Sequence, residues 1–126
     1  MMHSGNVLAF VGDAVLSLQV RKYLVSKGIT QTKKLQETSV KFVSAKAQAD
    51  FINYFLDENV LNENEIRVFK RGRNAKSQTM AKNADMITYR LSTGFEALWG
   101  YLYLNDKTDR LEELWEIVKD RVDLYE

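Results

Sequence analysis

The sequence contains no cysteine and no proline, and its only histidine is His3. Without cysteine there is no disulfide framework, no thiolate metal centre and no cysteine nucleophile. A single histidine excludes a histidine-rich zinc site and leaves imidazole acid–base chemistry almost without means. A nucleophilic triad therefore has nearly nothing to be built from. Any catalysis must rest on carboxylates, or on a metal ion that carboxylates hold. The absence of proline fits long helices joined by few rigid turns. No run approaches the roughly 20 apolar residues that cross a bilayer, and the first residues lack the basic-then-apolar pattern of a secretory signal. A cytoplasmic location with no membrane partner is the expectation.

What is present fits one globular domain over residues 1–126, at 45% hydrophobic and 28% charged. The net charge of +1 hides a polarity along the chain. Residues 30–90 carry eleven basic and seven acidic groups, whereas residues 105–126 carry four basic and eight acidic ones. A basic middle and an acidic tail favour a polyanionic partner on one face.

Helical periodicity dominates and strand alternation is nearly absent, so the fold class is all-α. A first helix is expected from Asn6 to Ser26, ended by Gly28, with Val7, Phe10, Val11, Ala14, Val15 and Leu18 facing a core and Asp13 pointing away. A short helix follows over Thr32–Glu37, and a third over Val40–Leu56 with Phe42, Val43, Ala47, Phe51, Tyr54 and Phe55 inward. Asn62 and Glu65 stand at capping-box spacing, opening a helix that runs to Arg71 and loosens at Gly72. The stretch "RNAKSQTMAKNA" reads as a loop. Helical pattern resumes at Ala84 and continues to Leu104, with a kink or break at Gly94. A last amphipathic helix over Asp109–Leu124 turns Leu111, Leu114, Trp115 and Val118 inward.

Three features stand out. In "LAFVGDAVLS", Asp13 is a lone acid within an apolar run, directly after a glycine that leaves room beside it. On its own it reads as an ordinary wet-face aspartate. In "GFEALWGYLYL", Glu96 is the only charge between Arg90 and Asp106, beside the stripe Phe95, Leu98, Trp99 and Leu102. Gly94 and Gly100 flank it and thin the surface there. A charge in such a setting is costly unless it is paired or bound to a cation. In "KRGRNAK", Lys70, Arg71, Arg73 and Lys76 surround a glycine, either as a solvated helix end or as a phosphate clamp.

In chain order, "LAFVGDAVL", "FVSAKAQA", "RGRNAKS", "KNADMITYR" and "GFEALWGYLYL" resemble the ribonuclease III catalytic domain, in particular the compact Mini-ribonuclease III family, across residues 7–118. The resemblance implies a ribonuclease III endonuclease-domain helical bundle that forms a homodimer and cuts double-stranded RNA with magnesium, for which manganese substitutes. It implies maturation of precursor ribosomal RNA at the ends of the large-subunit RNA, with a ribosomal protein as a helper that shapes the substrate. On this mapping Asp13 and Glu96 are the catalytic and metal-binding acids. Larger relatives carry two further acids where Ala9 and Thr93 stand here, so the site is a reduced, two-acid one. Magnesium accepts such a site, since one or two carboxylates plus substrate phosphate hold it.

Larger relatives also add a double-stranded-RNA-binding domain. Here RNA affinity is expected from the catalytic body, through Lys46, Lys70, Arg71, Arg73, Asn74, Lys76, Lys82 and Asn83. Phe10, Val11 and Val15 are expected to meet a partner surface in the dimer. Two alternatives remain at this point: a non-catalytic protein of the same fold that binds structured RNA on ribosomal particles, and a helical protein-interaction domain whose basic loop is merely solvated.

Overall fold

A computed structural model describes residues 3–76 and 85–123. Among these residues the chain forms six helices and no strand: α1 Gly5–Ser26, α2 Thr32–Val43, α3 Ala45–Asp57, α4 Glu63–Arg73, α5 Met86–Leu104 and α6 Thr108–Asp123. Helices α1, α3 and α4 all pack directly on α5, which runs through the middle of the bundle. Its Phe95, Leu98, Trp99 and Leu102 are fully buried, as expected. The Phe95 and Trp99 rings stack at 4.4 Å, with Phe51 and Phe55 of α3 against the same pair. Trp99 keeps its indole N–H satisfied by donating to Gln19 Oε1 at 2.6 Å. Leu111, Leu114, Trp115 and Val118 of α6 are likewise buried.

Local chemistry explains most of the boundaries. Ser4 caps α1 by accepting from the Val7 N–H, and Gly28 follows the helix at φ +88°, a conformation that favours glycine. Asn62 and Glu65 form the expected capping box of α4. The expected helix over Val40–Leu56 is two helices, because Ser44 is extended. It ends α2, and its Oγ accepts from Ala47 N–H at 3.1 Å to start α3. Serine favours such a cap over a helix interior because its hydroxyl competes for nearby backbone groups.

Two glycine expectations fail for one reason. Helix α5 is continuous through Gly94, and α4 stays helical through Gly72 to Arg73. The two glycines face each other where α4 crosses α5: a methyl group on Gly72 would come within 2.9 Å of Gly94 Cα, and one on Gly94 within 2.8 Å of the Phe69 carbonyl. They permit close packing and do not break either helix.

The buried face of α1 also differs from expectation. The inward row is Leu8, Gly12, Leu16, Val20 and Leu24, one residue per four, whereas Val7, Phe10 and Leu18 are exposed, Phe10 at 81%. Between Gly5 and Val20 the helix carries one charge, Asp13, so it is apolar nearly all round and periodicity alone cannot choose a side. Backbone approach makes the choice, since the row containing Gly12 is the one that reaches α5.

Two ion pairs tie α6 to the bundle. Arg110 binds the 3%-exposed Glu65 of α4 through two bonds of 2.8 and 2.9 Å, and also donates to the Val60 carbonyl. Arg121 grips Asp50 of α3 and lies over the Tyr54 ring at 4.3 Å.

Candidate functional site

The α1–α5 crossing positions the acids. A methyl group on Gly12 would run into the Glu96 carbonyl, and one on Gly100 into the Leu8 carbonyl. Only glycines let these backbones touch, and the contact lies one residue before Asp13 and at Glu96 itself. Residues 83 apart in sequence are thereby brought side by side, close enough for Asp13 to act on the Glu96 carboxyl. Asp13 is exposed and Glu96 half-buried. Gly94 and Gly100 do not thin an open surface beside Glu96, because both are buried beneath neighbouring helices.

The electrostatics of the pair follow from its surroundings. Burial above all, then the hydrogen bond to Asp13 and the charge of Asp13, push the Glu96 carboxyl up to about 8, against an opposing bond from Gln48. Two carboxylates are adjacent with no cation paired to Glu96 among the contacts that set its state. Glu65 shows the contrary case: burial would raise it, but the bonds from Arg110 and the Asn62 backbone, with the charge of Arg110, hold it below the ordinary carboxylate range.

Gln48 was not singled out by sequence reasoning. It is 2% exposed, and its Nε2 donates both to the Val43 carbonyl at 3.1 Å and to Glu96 Oε2 at 3.2 Å. A signal did exist, because a glutamine at position 48 shares the buried stripe of Phe51, Ile52 and Phe55 on α3.

The two positions where larger relatives carry acids are committed elsewhere. Ala9 is 7% exposed and packs with Leu8, Val68 and Ala97. Thr93 Oγ1 donates to the Tyr89 carbonyl at 3.1 Å, within its own helix. Among the described residues no group of three or more His, Cys, Asp or Glu is placed to hold a metal ion. The donor set is therefore two hard carboxylates, which suits magnesium or manganese with water and substrate completing the shell.

The basic residues fall in two places. Lys70, Arg71 and Arg73 sit in the last turn of α4, where their charges interact favourably with the helix dipole, and Asn74 is its C-cap. Gly72 in their midst abuts Thr93, Gly94 and Ala97, so this basic end lies against the turn of α5 that carries Glu96. The Arg71 Nε donates to the His3 carbonyl, Arg73 lies over the Phe69 ring, and the Lys76 carbonyl accepts from Asn6. Lys70 and Lys76 are exposed. Lys46 lines a different groove, with Val40, Lys41, Asp50 and Arg121. Lys82 and Asn83 lie outside the described residues. No helix among the described residues is long and apolar enough to cross a membrane.

Comparison with known proteins shows the family of the chain. The profile of the Ribonuclease III domain matches residues 6–107. The chain is 52% identical over 118 residues to the Mini-ribonuclease 3 of Streptococcus pneumoniae, covering 92% of each chain. It is 51% identical to that of Enterococcus faecalis, covering 92% of this chain and 89% of the relative. A crystal structure of a Fusobacterium nucleatum protein superposes with a TM-score of 0.83 at 30% identity, covering 91% of this chain and 92% of that one.

Proposed function

The chain belongs to the ribonuclease III family, an endoribonuclease family, and from that premise we propose that it cuts double-stranded RNA with a divalent cation held by Asp13 and Glu96. The observation that carries the reading is the Asp13–Glu96 pair, two carboxylates forced together at a glycine crossing without a basic partner for Glu96. Structural ion pairs in this protein look different: Glu65 and Asp50 each have an arginine. Magnesium is the cation this donor set favours, with manganese as its substitute. When bound, the cation supplies Lewis acidity toward a scissile phosphate and its attacking water.

The protein's own residues have separate tasks. Asp13, exposed, reaches the substrate side, while Glu96 anchors from the half-buried side. The α4 end, with Lys70, Arg71, Arg73, Asn74 and Lys76, offers guanidinium and ammonium groups to a phosphate backbone close to that turn of α5. Duplex RNA is recognised through phosphates, 2′-hydroxyls and shape, so sequence preference from this surface is weak. Precursor ribosomal RNA as substrate, with a ribosomal protein shaping it, is part of the same proposal.

A homodimer belongs to the same reading. The outward stripe of α1 leaves Val7, Phe10 and Leu18 at 46%, 81% and 61% exposure. Beside it, Val11, Val15, Tyr103, Leu111 and Trp115 line an apolar groove. Exposed apolar residues of this kind suit a second copy. It also gives the α1 residues first assigned to the core a different apolar environment.

Cleavage of long duplex RNA, with magnesium present or chelated, tests the reading. We expect magnesium-dependent cutting, lost by roughly a thousandfold in Asp13→Asn and in Glu96→Gln with duplex binding retained; several kcal/mol of cation stabilisation corresponds to that factor. Binding without cleavage in the wild-type protein favours the non-catalytic reading, and full turnover in both variants removes the site assignment.

A further inference from the structure

Gln48 presents a cost that packing does not explain. It lies on the apolar face of α3 among Phe51, Ile52 and Phe55, at 2% exposure. Its Oε1 is the one buried side-chain polar atom among the described residues with no hydrogen-bond partner. An apolar side chain would strand no acceptor of its own, but it would leave the Val43 carbonyl and Glu96 Oε2 without this donor. A stranded polar atom in a folded protein calls for a functional or solvent partner.

The other end of the amide is fully used. Nε2 donates to two acceptors, the Val43 carbonyl at 3.1 Å and Glu96 Oε2 at 3.2 Å. Reversing the amide would set its oxygen against the Val43 carbonyl, so the two acceptors fix which way it faces. Val43 belongs to the last turn of α2, just before the Ser44 break, and Gln48 to the first turn of α3. The Glu96 carboxylate is thus tied to the α2–α3 junction through one neutral donor. A neutral donor orients the carboxylate without cancelling its charge, as an arginine would.

We propose that Gln48 is a positioning residue: its Nε2 fixes one Glu96 oxygen so that the other stays directed, with Asp13, at a divalent cation. The proposal rests on the functional reading above. Partners of this kind around a metal ligand set its affinity, typically by 10–100-fold. Gln48 therefore acts on cation affinity and leaves the rate at saturating cation largely unchanged.

The test uses Gln48→Met, which keeps the length without the amide, and Gln48→Leu as a second apolar variant. Manganese alone is titrated calorimetrically into each protein, thermal midpoints are measured without divalent cation, and duplex cleavage is followed against magnesium concentration. The expected result is manganese affinity lowered by about tenfold or more in variants whose thermal midpoints show them folded at the titration temperature. Cleavage should then need correspondingly more magnesium and recover at saturation. Wild-type manganese affinity in either folded variant overturns the proposal. A fall in affinity that tracks the fall in thermal midpoint from one variant to the other makes Gln48 a packing residue and overturns it too. A wild-type protein that neither binds manganese nor cuts duplex RNA overturns the functional reading itself, and this proposal with it.

Discussion

Glu65 on α4 and Glu96 on α5 are both glutamates drawn into helix contacts, with different neighbours. Glu65 receives the Arg110 guanidinium at 2.8 and 2.9 Å and the Asn62 N–H at 3.0 Å, while Glu96 meets a second acid, Asp13, and a neutral amide, Gln48. Burial opposes the charge at both. The arginine overcomes it at Glu65, whose carboxyl titrates below the ordinary value, and nothing overcomes it at Glu96, whose carboxyl is pushed up to about 8. One glutamate is neutralised by the protein to join helices. On the proposed reading a cation neutralises the other, which separates a structural acid from a functional one in the same fold.

The difference gives opposite consequences for stability. Glu65→Gln should cost about 3 kcal/mol, the scale of breaking a buried pair while its arginine stays behind. Denaturant unfolding at neutral pH checks the cost, and cleavage should change only with the folded fraction. Because the folded value of Glu65 is lowered, its contribution is present above the ordinary carboxyl value and lost as pH falls through the folded one. The variant should therefore lose less stability on acidification than the wild type.

Glu96 acts in the other direction. With its carboxyl raised from 4.5 to about 8, the folded protein holds the proton more tightly than the unfolded chain. Its contribution is fully present below about 4.5 and is lost as pH rises through about 8. Thermal midpoints of wild type and Glu96→Gln, in chelator, should converge at low pH and separate near pH 8 with the variant higher. Equal slopes across that window would put Glu96 in the same class as Glu65.

Much of the fold was legible because its local signals are strong. The Asn62–Glu65 box starts α4 where expected, and the Phe95, Leu98, Trp99 and Leu102 stripe is fully buried. What misled were signals whose meaning depends on a neighbouring helix. Gly72 and Gly94 look like breaks until they face each other, and α1 is too apolar for periodicity to select its inner side. The site divides in the same way. Asp13 and Glu96 were legible as an acid after a glycine and a lone charge in an apolar helix, helped by the family resemblance. Gln48 was not, because a single polar residue on an apolar stripe has no meaning until the carboxylate across from it is known. Arg110 likewise shows its role only once α6 is packed against α4.

Proton release on cation binding tests the central claim most directly, since a ligand that is mostly protonated in the free protein must give up its proton to bind. Manganese is titrated into the wild-type protein at pH 7 in two buffers of different ionisation enthalpy, and into Glu96→Gln alongside. With the Glu96 carboxyl at about 8, close to one proton should leave per ion bound, and the variant should show no such release and weaker binding. Binding that releases no proton, or that is unchanged in Glu96→Gln, would contradict the account.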